Sequence, residues 1–146
     1  MAKLSDAHLA AWRALLNAHS AAVRRISRLL QEQGGLPLES YDVLLELYYA
    51  PDRRLRLKEL GARVVLTRSG ISRLVTRLEK EGLVVRGSVD QDARGVYATL
   101  TKKGEAAFRR TWPLYAEGIR EVFGSCMTED EALTIAAIME RVPSKA

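Results

Sequence analysis

The stretch Thr67–Glu81, TRSGISRLVTRLEKE, decides how the rest of the chain is read, because its two sides ask for different surroundings. Ile71, Leu74, Val75 and Leu78 recur at intervals of three and four, the spacing of an amphipathic helix packed on a core. At about 100° per residue, Ser69, Ser72, Arg73, Thr76 and Lys80 gather on the opposite side. Thr67 is placed to cap the start, Gly82 to stop the end, and no proline intervenes. The outer side interleaves short hydroxyls with long cations. Hydroxyls bond to base edges or phosphates, and arginine takes guanine in a two-pronged contact. A merely solvated helix has the same composition on its wet side, so the neighbouring segments must choose between the two readings.

Immediately upstream, Lys58–Val65 has the pattern of a short helix with Leu60 and Val64 on one side. Two helices joined so tightly form a helix-turn-helix, whose second member enters the major groove while the first crosses the backbone. Arg63 then lies near a phosphate, and Arg68 adds a cation at the entry to the second helix. Farther back, Leu38–Tyr49 reads as a helix with Tyr41, Leu44, Leu45 and Tyr48 turned inward, stopped by Pro51, and RLRL (54–57) alternates as a very short strand. Downstream, Leu83–Val89 and Val96–Leu100 are strand-like runs around DQDARG, a turn-forming sequence. A hairpin behind a reading helix is a wing, and Arg94 at its tip suits the narrow minor groove. An ordinary exposed turn arginine is the other reading.

Long apolar helices flank this middle. Leu9, Trp12, Leu15, Leu16, Val23, Ile26, Leu29 and Leu30 recur helically from Ser5 to Gln33, ended by Gly34, Gly35 and Pro37. A helix that long needs a second surface to cover it, and the same helix of another subunit is one. After the wing, Thr101 caps a helix that carries Pro113, a residue expected to bend it. Lys102 and Lys103 oppose the dipole of its first turn, as they would beside a phosphate or simply in water. Thr128 and Glu131 form a capping box for a last helix bearing Leu133, Ile135, Ala136, Ile138, Met139 and Val142.

The charge follows the same partition. The 146 residues carry a net charge of +5, but Pro51–Lys103 alone holds 13 Lys and Arg against 6 Asp and Glu. The flanks are therefore slightly acidic, and the basic footprint of an anionic partner lies on the middle segment. A single cysteine, Cys126, gives no internal disulfide and suits a reducing compartment; a buried or inert thiol is expected. No apolar run approaches the roughly 18 residues of a membrane span. His8 and His19, eleven residues apart on one helix, stand about 16 Å from each other and make no metal pair. With no nucleophile elbow and no phosphate-cradling glycine loop, neither an enzyme nor a cofactor is expected. A winged helix used for protein contacts would show large apolar residues on the outer side of 67–81, where hydroxyls and cations stand instead. Basic, non-specific DNA binding is a further alternative.

YDVLLEL (41–47), LKELGARVVLTRSGISRLVTRLEKEGLVVR (57–86) and DARGVYATLTKKG (92–104) resemble the MarR family of bacterial and archaeal regulators. The resemblance implies a mainly α fold with a small β-hairpin wing (α+β), a winged helix-turn-helix with N- and C-terminal dimerisation helices. Residues 1–37 would be the N-terminal dimerisation helix, 38–100 the DNA-binding lobe and 101–146 the C-terminal dimerisation helices. It further implies that Ser69, Ser72, Arg73, Thr76 and Arg77 touch double-stranded DNA in the major groove. Arg94 would be the minor-groove arginine of the wing and Asp92 its nearby partner. The expected protein is a cytoplasmic homodimer, a ligand-responsive repressor without a cofactor. Trp12, His19, Tyr41 and Tyr48 are candidates for a pocket holding a small aromatic acid or phenol, with plain core packing as the alternative. The position of Cys126, late in the chain, departs from the family's peroxide sensors.

Overall fold

The computed structural model describes residues 2–64, 70–88 and 95–143. In chain order it contains α1 (Asp6–Glu32), α2 (Leu38–Tyr48), a 3-10 turn (Pro51–Arg53), β1 (Arg54–Arg56), α3 (Leu57–Arg63), α4 (Ile71–Lys80), β2 (Val84–Gly87), β3 (Tyr97–Leu100), α5 (Lys102–Val122), a second 3-10 turn (Gly124–Cys126) and α6 (Glu129–Met139). The chain divides into two compact units, residues 30–114 and residues 1–29 with 115–146.

In the 30–114 unit, Leu30, Leu44, Leu47, Leu60, Leu78, Val43, Val75 and Val84 are fully buried. The three strands form an antiparallel sheet in the order β1-β3-β2. Leu55 faces Ala98, and Val84 faces Leu100. These four residues are buried, so one side of the sheet closes the core while Arg54, Arg56 and Val85 stay outside. The short RLRL strand thus has a defined role as the third strand, paired to β3 rather than standing alone.

Two glycine positions fix the turns around α4. Gly70, just before the helix, has φ 76°, a left-handed conformation that costs glycine nothing and an L side chain on the order of 1 kcal/mol. The helix therefore begins at Ile71, and the expectation of an N-cap at Thr67 is replaced by a turn at Gly70; Thr67 itself lies outside the described residues. Gly104, in the first turn of α5, is required for a different reason: a Cβ there would stand 2.1 Å from the Leu83 carbonyl oxygen. Thr101 completes the junction, its hydroxyl donating to the Gly82 carbonyl at 2.7 Å and accepting from the Gly104 N–H at 3.0 Å. The Leu-Thr-x-x-Gly run is thus the lock between the base of the wing and α5.

The other unit buries little. Ile26 of α1 packs where Gly118 of α5 leaves room, 3.4 Å from the position a Cβ would take, and Val122 is also buried. The capping box of α6 is present in full: the Thr128 hydroxyl accepts from the Glu131 N–H at 3.2 Å, and the Glu131 carboxylate from the Thr128 N–H at 3.1 Å. Yet no residue of α6 is buried. Pro113 lies inside α5 without ending it. Cys126 is exposed, so of the expected buried or inert thiol the buried setting does not hold; it sits in a short turn at the surface, its Sγ 3.6 Å from the Val122 carbonyl. None of the described helices is long and apolar enough to cross a membrane.

Candidate nucleic-acid interface

α4 is positioned from beneath and from both ends. Leu74, Val75 and Leu78 are buried, and Ile71 is half-buried beside Gly61 of α3, which leaves room for its Cγ2. At the C-terminal end, Lys103 Nζ donates to the Glu81 carbonyl at 2.8 Å. This lysine therefore satisfies an orphan carbonyl and complements the negative end of the helix, so its expected setting, a phosphate or open water, gives way to a structural one. Ser72 and Arg73 are exposed on the opposite side.

The candidate residues do not all stand in the same state. Among the described residues no acidic group pairs with Arg73. Arg77 reaches back to Glu39 of α2 in a 2.8 Å ion pair, both side chains about half exposed. Arg63, in the last turn of α3, lies 3.9 Å from Glu59. Thr76 is half-buried, and its hydroxyl donates to the Ser72 carbonyl at 2.9 Å. Arg68, Ser69, Asp92 and Arg94 lie outside the described residues, as does the tip of the wing.

Two residues that sequence reasoning passed over hold α4 against the sheet. The Arg86 guanidinium donates through Nη2 to the Ser72 carbonyl and to the Thr76 hydroxyl, each at 2.9 Å. The Glu79 carboxylate accepts from the Arg86 backbone N–H at 3.0 Å. Because β2 is an edge strand among the described residues, that N–H has no ladder partner there, and Glu79 both satisfies it and blunts the edge. Only the strand order reveals this pairing; nothing in the spacing of 79 and 86 signals it.

A second candidate site lies within the same unit. Tyr41, Leu45, Tyr48 and Tyr49 of the α2 region, with Phe108, Arg109 and Trp112 of α5, line a cleft of about 320 Å³. Phe108 stacks on Tyr41 at 5.0 Å and on Tyr48 at 4.5 Å between ring centroids. Arg109 Nε donates to the Tyr48 hydroxyl at 3.1 Å, and that bond holds its guanidinium more firmly charged than usual. Two of the four expected ligand residues, Tyr41 and Tyr48, come together here; Trp12 and His19 are exposed on α1, in the other unit. The α5 half of the cleft was legible only as the spacing of Phe108 and Trp112, four apart on one helix side with two arginines between them.

Residues 34–95 match the profile of the MarR family. An HTH-type transcriptional regulator of Bacillus cereus is 37% identical over 108 residues, 73% of this chain and 69% of the relative. A MarR family transcriptional regulator from Streptomyces coelicolor, solved in complex with DNA, is 33% identical, covers 100% of this chain and 95% of its own, and superposes with a TM-score of 0.85. The chain belongs to the MarR family. It is a winged helix-turn-helix, DNA-binding transcriptional regulator. Among other relatives, the homoprotocatechuate degradative operon repressor of Escherichia coli is 28% identical over 75% of this chain and 72% of the relative.

Proposed function

We propose that this chain acts as a homodimeric repressor that sets α4 of each protomer into successive major grooves, about one helical turn or roughly 34 Å apart, on a pseudo-palindromic operator. The observation that carries the reading is the division of α4 itself: Leu74, Val75 and Leu78 buried in the lobe, Ser72 and Arg73 exposed on the other side. Arg73 is the base reader of the set, with Ser72 and Ser69 beside it. Arg63, Arg68 and Arg77 meet phosphates, which requires Arg77 to share or leave Glu39. Arg94, with Asp92 fixing the wing, enters the flanking minor groove. The exposed apolar side chains of α1 and α6 supply the dimer contact. The Streptomyces relative's DNA complex supports the first part, and the Escherichia coli relative's role as a repressor supports the sign of regulation.

The aromatic cleft takes the effector. Stacked rings around an apolar cavity with one fixed cation at the edge suit a small aromatic acid or phenol, whose binding shifts the spacing of the reading helices. Sedimentation of the purified chain at micromolar concentration, followed by sequencing of the DNA fragments it retains, tests the assembly and the site together. Dimers and an inverted repeat are expected; a monomer, or fragments without a shared motif, would refute the reading.

A further inference from the structure

Ser72, Thr76 and Glu79 lie at intervals of four and three along one line of α4, and all three are held by Arg86 of β2. The Thr76 hydroxyl has one hydrogen and two lone pairs. Its hydrogen is given to the Ser72 carbonyl, and one lone pair already accepts from Arg86. What is left is one acceptor site, so Thr76 cannot donate to a base without releasing the Ser72 carbonyl, the acceptor it shares with Arg86. The Arg86 Nε is shut away from solvent with no partner among the described residues, a cost that an isosteric apolar side chain would avoid. A planar fork is retained where its geometry matters, since its donors fix both the depth and the rotation of what they hold.

We propose that Arg86 is a positioning residue for DNA recognition: by clamping Ser72 and Thr76 it sets the rotation of α4 over the wing sheet, and it removes Thr76 from the set of base-reading side chains. This rests on α4 being the DNA-contacting helix. Thr76 then acts through Arg86, not through a base pair, and an error in the clamp disturbs every base contact of the half-site at once.

The test compares the full-length wild type with Arg86→Gln, Thr76→Val, Thr76→Ser and Arg73→Ala, by competition between the selected site and versions of it altered one base pair at a time. Arg86→Gln and Thr76→Val should each weaken the preferred site by roughly tenfold and flatten discrimination across several positions together. Their combination should be no worse than the weaker single variant, because both open the same clamp. Thr76→Ser, which keeps the hydroxyl, should restore the wild-type profile. Loss of discrimination at one base pair alone in Thr76→Val, whether or not Thr76→Ser keeps it, would make Thr76 a reader and overturn the proposal. So would wild-type binding by Arg86→Gln. Should Arg86→Gln fail to fold, the Thr76 pair still decides. The Arg73→Ala arm separates the two levels: full discrimination in that variant would refute the reading role of α4 itself, independently of the clamp.

Discussion

Residues 30–114 bury Leu30, Leu44, Leu47, Leu60 and Leu78 almost completely, whereas in residues 1–29 and 115–146 Trp12 is 56% exposed and Leu133 69% exposed. Leu15, Leu16, Ile135, Ile138 and Met139 are open to solvent as well. Both regions are rich in apolar residues at helical spacing, and the sequence pattern alone treats them alike. The difference lies in what covers those residues. The lobe encloses a core from three helices, a small sheet and the start of α5, while the terminal helices present an apolar surface of the kind that marks an interaction site. One region folds on itself, and the other leaves its apolar side chains open, as the proposed dimer contact requires.

The largest effect that sharpens this contrast is a cavity in the lobe. Leu78→Ala should lower the unfolding free energy by about 2–5 kcal/mol, read from urea denaturation, whereas Ile138→Ala should leave the lobe's own transition in place. Comparable losses at both sites would erase the distinction. Next comes the interface itself: Ile138→Asp should convert dimers to monomers in sedimentation and weaken operator binding roughly a hundredfold through lost bivalency, with the circular dichroism of the lobe preserved. An unchanged dimer would remove α6 from the contact. The smallest is the cap of α6. Thr128→Ala breaks the capping box and should cost about 1 kcal/mol, visible as faster amide exchange at the start of α6 and not in α2 or α4.

Local chemistry carried far in the sequence. The apolar period of α4, the Thr128–Glu131 box and the strand-like runs around DQDARG each depend on residues within a few positions of one another, and those elements stand where expected. What depends on contacts between elements was not legible. Lys103 reads as a loose cation until the end of α4 is placed above it, and Arg86 reads as an exposed strand residue until α4 is laid against β2. The cleft shows the same division, since Tyr41 and Tyr48 announce themselves by their spacing on α2, while Arg109 matters only because α5 returns beside them. At Gly70 the misreading was local: a threonine three residues earlier offers a cap, but the left-handed glycine sets the start of the helix.

If the exposed side of α4 reads DNA, Arg73 is the side chain on which that reading turns. Measured against the selected site in equilibrium titrations at fixed salt, Arg73→Ala should lose about 1–3 kcal/mol and its preference at one base pair of each half-site. Equal affinity and equal preference in wild type and Arg73→Ala would contradict it.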